Sequence, residues 1–324
     1  MKTIQLSKIS LAMALGITIL VSCGKDDDAP TVITLPPIGG YATSDDVSAS
    51  NLIAKWSFEN SIAESKSNLA GTPTNVAYTA GAKGQAWDGS ATTPRYAIYN
   101  GATAIGALNN FTFSFWMNTA NSISPGDAPG QGKGAQGIFA LVKPSEFWGA
   151  INIFLENPDD SFPNKLRVKL LAENKRTGVT FVAYDPVANI ENQINKWFHI
   201  AFTYNATTSK ISVFVNGLPA ASVSGLNAPA EGFPGSFIAY ATDPGGLANP
   251  NNAPLWGNLD FGNTFSQVVL GSHQFETTPS LTSSHGEETW ATTYAGKLDE
   301  FRIYKSALSP SDVGALYELE KAGR

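Results

Sequence analysis

The sequence predicts an all-β fold of two packed sheets, and three observations predict it. Short segments in which apolar and polar residues alternate recur along most of the chain, each bounded by Gly, Asn, Asp or Pro, which is the period of half-buried strands. No helical period interrupts them before the C-terminus, so the chain closes as a sandwich or jelly roll rather than through crossover helices. The composition agrees: 30 Gly and 19 Pro suit turns and long loops, and 43% hydrophobic residues over 324 positions suffice for a large core.

The chain begins with a segment outside the fold. Lys2 and Lys8 precede an apolar run over 9–21 that is too short for a membrane span and reads as a secretory signal ending at residue 22. Leu20-Val21-Ser22-Cys23 resembles the bacterial lipobox, which implies that Cys23, the only cysteine, becomes a lipid-modified anchor. Gly24-Lys25-Asp26-Asp27-Asp28 resembles the acidic patch of surface-exposed lipoproteins of Bacteroidetes-type bacteria, and by charge alone it reads equally well as a solvated tether. Residues 23–50, with Pro30, Pro36, Pro37, Gly39 and Gly40, are expected to be a flexible linker. The expected location is the outer membrane, lipid-anchored and facing the cell exterior.

Charge narrows the partners. The net charge is −6, and no basic cluster is interleaved with aromatics, which excludes a nucleic-acid footprint. Nor is there a basic patch for anionic headgroups, so membrane attachment is left to the lipid.

The folded domain is expected from residue 51 to 324. Strands are predicted at 52–58, 95–99, 111–117, 137–142, 150–155, 165–172, 179–183, 197–204, 210–215 and 267–270. The last, Gly296-Lys297-Leu298-Asp299-Glu300-Phe301-Arg302-Ile303-Tyr304, alternates so that Lys297, Asp299, Phe301 and Ile303 share one face. One terminal helix follows: Ser309 can cap it, Pro310 suits its first position, Asp312 its positive end, and Val313, Leu316 and Tyr317 form a docking stripe.

Several of these segments carry a resemblance in order. Leu52-Ile53-Ala54-Lys55-Trp56-Ser57-Phe58-Glu59-Asn60, Gly81-Ala82-Lys83-Gly84-Gln85-Ala86-Trp87-Asp88-Gly89 and Phe111-Thr112-Phe113-Ser114-Phe115-Trp116-Met117 look like the opening motifs of LamG-like domains. Trp197-Phe198-His199-Ile200-Ala201-Phe202-Thr203-Tyr204, Ile211-Ser212-Val213-Phe214-Val215-Asn216-Gly217 and the 296–304 strand with Ala307-Leu308-Ser309 resemble the later ones. The resemblance spans nearly all of 51–320 and implies a concanavalin A-like jelly roll of two antiparallel sheets.

Two insertions depart from that pattern, at 119–136 and 225–265. Both are rich in Gly, Pro and Asn and longer than hairpin loops. The second carries Phe233, Phe237, Tyr240, Trp256 and Phe261, while Trp148 and Trp290 lie in other irregular stretches. Such rings either stack on a sugar or pin their loops to the core. Trp148, Tyr240, Trp256 and Trp290 are the candidate ligand-binding residues.

Catalysis is not expected. Glycosidases of this fold place paired carboxylates on one strand in a Glu-x-Asp-x-x-Glu pattern, which is absent. Glu156-Asn157-Pro158-Asp159-Asp160 is broken by its proline, Glu287 and Glu288 sit in a polar loop beside His285, and His199 and His273 accompany no nucleophile motif. A metal is the remaining candidate. If the first and last strands pair antiparallel, Glu59, Asn60 and Asp299 meet, with Glu64 in the next turn, and an all-oxygen set of this kind suits a structural Ca²⁺. The functional expectation is a lectin-like carbohydrate-binding protein, with a structural or adhesive protein-binding module as the alternative.

Overall fold

The longest strands form where the alternation is written. The computed structural model describes residues 35–122, 134–158, 164–174, 182–184 (backbone), 186–224, 235–240, 254–262, 265–283 and 285–324. In chain order the strands are β1 Leu52–Trp56, β2 Ala70–Thr74, β3 Tyr78–Ala80, β4 Gln85–Asp88, β5 Tyr96–Asn100, β6 Phe111–Asn118, β7 Ala135–Leu141, β8 Ile151–Leu155, β9 Lys165–Asn174, β10 Val182–Tyr184, β11 Val187–Glu191, β12 Phe198–Asn205, β13 Lys210–Val215, β14 Leu218–Pro219, β15 Val223–Ser224, β16 Ser236–Ile238, β17 Gln267–Leu270, β18 Ala291–Thr293 and β19 Lys297–Tyr304. The helices are α1, Thr103–Gly106, and the terminal α2, Pro310–Lys321.

The strands make a two-sheet jelly-roll sandwich. One sheet has nine strands in the order β14-β13-β12-β6-β19-β4-β3, with β1 added on β19 and β16 on β13. The other has ten, β15-β11-β9-β8-β7-β17-β5-β2, with β10 on β9 and β18 on β7. Neighbours run antiparallel except β18, which lies parallel to β7. The core lies between the sheets: Phe115 stacks on Phe301 at 5.0 Å, and Phe301 stacks across the interface on Phe139 of β7 at 5.6 Å.

The last strand is central, flanked by β6 on one side and by β1 and β4 on the other. β1 does run antiparallel to it, with Trp56 opposite Phe301. The simple alternation fails, however. Its register against β6 shifts between Asp299 and Arg302, and Glu300 takes a left-handed φ of 45°. Leu298 and Phe301 therefore both enter the core, and Asp299 lies opposite Trp116, whose indole reaches outward to α2. One inserted residue moves the carboxylate from the expected core side to the outer side.

α2 covers that outer side. Ser309 Oγ accepts the Asp312 N–H at 3.1 Å, Pro310 occupies the first turn, and Val313, Leu316 and Leu319 bury against Tyr304, Phe214 and Ala201. Val47 joins this cluster, fully buried, and Ser44 is buried beside it. Residues 38–50, expected as linker, therefore belong to the fold: Pro37 to Arg324 form one unit, Ile38 and Tyr41 exchange backbone hydrogen bonds of 3.0 Å, and Tyr41 Oη donates to Asp312. Gly39 and Gly40, with left-handed φ of 60° and 92°, make the turn between Ile38 and Tyr41. Cys23 lies outside the described residues.

Candidate functional site

The four residues expected to hold calcium do not form a cage. Glu64 is buried, and its carboxylate accepts backbone N–H groups from Lys55 (2.9 Å), Lys66 (2.7 Å), Ser67 (2.7 Å) and Leu69 (3.4 Å). Asp299 accepts from Lys83 N at 2.9 Å and Glu300 N at 2.8 Å. Glu59 accepts from Gln85 N at 3.0 Å, across a turn where Gly84 has φ +67° and any Cβ would fall 2.1 Å from the carboxylate. Asn60 is exposed, with its own N–H turned back on Phe58 O. Four backbone donors fill the Glu64 carboxylate and two more hold Asp299, and no group of three or more acidic, His or Cys side chains suited to a metal exists among the described residues. The set does not fit Ca²⁺.

Asp299 is distinctive for another reason. Burial pushes its carboxyl up to about 8, against the pull of the Lys83 N–H, and neighbouring Glu300 pushes the same way. It borders an ionic cluster that the sequence reading missed. Arg302, fully buried, donates through Nε to Glu320 (2.7 Å), through one terminal nitrogen to Asp45 (2.6 Å), and through the other to Glu300 (2.6 Å) and Ser44 Oγ (3.0 Å). Lys55 Nζ adds a 2.7 Å contact to Asp45, and Trp116 Nε1 donates to the second Glu320 oxygen at 2.7 Å. This cluster clamps the 44–46 turn, β19 and α2 together and is structural.

The four aromatic candidates part company. Trp256 is 1% exposed and lies in the main core, edge-on to Tyr204 at 5.5 Å, with its backbone N–H bonded to Ala239 O at 3.0 Å. Phe237 and Phe261 of the same insertion are buried with it. Tyr240 is half-buried in an isolated bridge to Leu255. Trp256 is thus no ligand platform: its indole closes one region of the sandwich core, and Phe237 and Phe261 serve as anchors beside it. Phe233 and the stretch 241–253 lie outside the described residues.

Trp148 and Trp290 do meet, 5.5 Å apart and tilted by 53°. They are part of an aromatic cluster on the outer face of the ten-stranded sheet. Its floor is Phe154 of β8, whose ring stacks on Trp148 at 5.2 Å and 9°. Phe147, from the β7–β8 connection, stacks on buried Phe275 at 4.3 Å, and His285 lies edge-on to Phe147 at 4.8 Å. Phe147, Trp148 and Trp290 remain partly exposed, and His285 is exposed.

The mounting of these rings is well defined. Gln274, fully buried, accepts from Lys143 N at 2.8 Å and donates to Lys143 O at 3.1 Å and Phe147 O at 3.2 Å, fixing the connection that carries Phe147 and Trp148. Trp290 O accepts the Gly134 N–H at 2.9 Å, and Ser283 N bonds Pro144 O at 2.8 Å. Beneath them the 271–276 segment lies directly on β7, where a Cβ on Gly137 would meet His273 N at 2.0 Å. His273 and His199, both fully buried, are held down at about 3 by desolvation and so stay neutral at ordinary pH.

No family model matches the chain, and no curated protein matches it. Among solved structures, domain 4 of AbnA, a GH43 extracellular arabinanase from Geobacillus stearothermophilus in complex with arabinotriose, is similar at 18% identity, covering 82% of this chain and 98% of that one, with a TM-score of 0.47. The binding domain of Paraclostridial Mosquitocidal Protein 1 is similar at 17% identity over 83% of this chain and 52% of that one, TM-score 0.49. The binding domain of botulinum neurotoxin DC in complex with SialylT gives 13% identity over 85% and 52%, TM-score 0.47. This chain thus spans about half the length of those two toxin domains. The functional reading rests on the chain's own side chains.

One further surface stands apart from the aromatic face. A groove of 480 Å³ runs between α2 and the 216–218 turn, lined by Ile38, Gly39, Leu218, Ala315 and Tyr317 among others, and Leu218 on its rim is 70% exposed.

Proposed function

We propose that this is a lipid-anchored surface protein that binds carbohydrate without catalysis, through the aromatic face of the ten-stranded sheet. One observation carries the reading: Phe147, Trp148 and Trp290 present partly exposed rings on a base already filled by Phe154 and Phe275. A loop anchor needs only its buried side, whereas exposed ring edges and faces offer apolar surface for sugar C–H groups with hydrogen-bonding groups around them. The absence of catalysis is supported by the two neutral, fully buried histidines, which can neither reach a substrate nor exchange protons near neutral pH. The lipobox supports the anchor, and the short acidic patch Asp26-Asp27-Asp28 after Cys23 supports exposure at the surface.

A glycan array with the protein from residue 24 onward tests the binding. Trp290→Ala should weaken any hit at least about tenfold while leaving the melting temperature within a few degrees, since a half-exposed ring contributes little to the core. Equal binding by Trp290→Ala and Trp148→Ala sinks the assignment of this face. For the anchor, Cys23→Ala should move the protein from the membrane to the soluble fraction, and unchanged fractionation ends that part of the proposal.

The α2 groove favours a second reading, adhesion to another protein, because its exposed leucine lies on an apolar lining. Leu218→Asp abolishing cell adhesion while glycan binding persists would select it.

A further inference from the structure

The three partly exposed rings of the aromatic face are crowded together rather than strung out. The centroids of Phe147 and Trp148 lie 5.2 Å apart, those of Trp148 and Trp290 5.5 Å, and those of Phe147 and Trp290 6.0 Å, so they mark a small triangle. Their planes diverge by 86°, 53° and 34° in the same order. One face of Trp148 is already closed by Phe154, parallel to within 9°, and one face of Phe147 by Phe275, to within 22°. Apart from His285, edge-on to Phe147, no further exposed ring joins the cluster among the described residues. Toward β9 the patch ends at an ion pair, Lys169 with Glu156 at 3.2 Å, whose ammonium lies 5.6 Å over the buried Phe154 ring.

We infer that this face takes one sugar residue at a time; the inference rests on the carbohydrate reading above. A short oligosaccharide or a side branch is then a complete ligand, and the flat face of an ordered, insoluble polysaccharide is not one. Two geometric arguments lead there. Stacking lays the C–H face of a sugar on a ring, so a chain gripped over several residues needs rings set out along it. A pyranose is about as broad as a phenyl ring, and the triangle therefore fits one residue with at most the edge of the next. A flat polysaccharide surface, in turn, touches several rings only where they share a plane, and no two of these do. The mounting keeps the rings from spreading into a row. Gln274, fully buried, bonds the backbone at Lys143 and Phe147 and so ties the connection that carries two of them to the 271–276 segment. A patch fixed in this way is ready for a small ligand without reordering.

The test is calorimetric titration of the protein from residue 24 onward with glucose, xylose, mannose and N-acetylglucosamine oligomers of one to six residues, in the linkage that scores on the glycan array. Sedimentation with microcrystalline cellulose and with chitin powder accompanies it. Affinity should reach its full value by the disaccharide and stay within about fivefold up to the hexasaccharide, which is what overlapping frames on a longer chain give by counting alone. Trp290→Ala should weaken every member of the series by the same factor, because each touches the same rings, and neither powder should retain the protein through Trp290. A gain of about tenfold or more from two residues to six overturns the inference and leaves the carbohydrate reading standing. So does a Trp290→Ala loss that grows with chain length, or retention on either powder that Trp290→Ala abolishes. No glycan binding of any kind brings down the carbohydrate reading itself, and this inference with it.

Discussion

Glu64 shows how one side chain can hold a turn shut. Four backbone N–H groups from two segments converge on its buried carboxylate, so the residue acts as an acceptor hub for the 64–69 turn and the β1 backbone. Glu64→Ala would leave those donors buried without partners, and the loss should be about 3 kcal/mol, seen as a lower denaturant midpoint at unchanged slope. A loss below about 0.5 kcal/mol would mean that water replaces the carboxylate. The sequence placed Glu64 correctly in a polar turn next to β1 but read its charge as available to a cation. Acidity is visible in a sequence, whereas the number of N–H groups aimed at it is a property of the folded turn. Asp299 makes the same point through geometry: its spacing from Phe301 implies a shared face, and the bulge that breaks the sharing leaves no mark in composition.

Elements with strong alternation were legible, and those without it were not. Phe111–Asn118, Phe198–Asn205 and Lys210–Val215 lie where apolar and polar residues alternate, because both faces of each strand have distinct neighbours. Ala70–Thr74 reads Ala-Gly-Thr-Pro-Thr and is nearly all exposed, held by pairing to β5 rather than by burial, so no apolar signal announces it. Two predictions belong to this scale. Arg302 ties three elements together with separate nitrogens on separate partners, a geometry that an ammonium cannot reproduce. Arg302→Lys should therefore cost about 3 kcal/mol or more and release α2 first, detectable as faster amide exchange over 313–320 than over β6. Protection lost equally in both elements would show that the helix has no stability of its own to lose. In the long insertion, Trp256→Ala should cost about 3 to 5 kcal/mol, as truncation of a buried core ring does, with glycan binding per folded molecule retained. A stable Trp256→Ala variant with lost binding would restore the ring to the ligand site.

For the whole molecule, the buried titratable groups set a pH profile whose sign can be worked out. Burial pulls His199 and His273 down from 6.5 to about 3, so between those values the unfolded chain takes up protons that the folded protein refuses, and stability falls as the medium is acidified. Asp45 acts in the same direction at lower pH: burial alone would raise its carboxyl, but hydrogen bonds from Lys55 and Arg302 outweigh that and hold it below 3.8. Asp299 runs the other way. Burial raises it from 3.8 to about 8, so in that window the folded protein keeps a proton that the unfolded chain has lost, and stability falls as pH rises. Glu320, raised by burial against the pull of Arg302, adds to the same slope. The opposing slopes offset one another up to 6.5, where the histidines cease to contribute, and above it only the carboxyls remain. Stability should therefore stay nearly level up to pH 6.5, above the range where the carboxyls of the unfolded chain titrate, and drop by about 2 kcal/mol or more by pH 8, at about 1.4 kcal/mol per pH unit for each proton held. Urea unfolding at half-unit pH steps measures this directly. Asp299→Asn mimics the neutral acid, and although its absolute stability need not match the wild type, its alkaline limb should flatten, and below pH 6.5, where Asp299 no longer offsets the histidines, its stability should fall more steeply on acidification. A wild-type protein that gains stability between pH 6.5 and 8 would show that the two N–H donors at Lys83 and Glu300 hold Asp299 ionised after all.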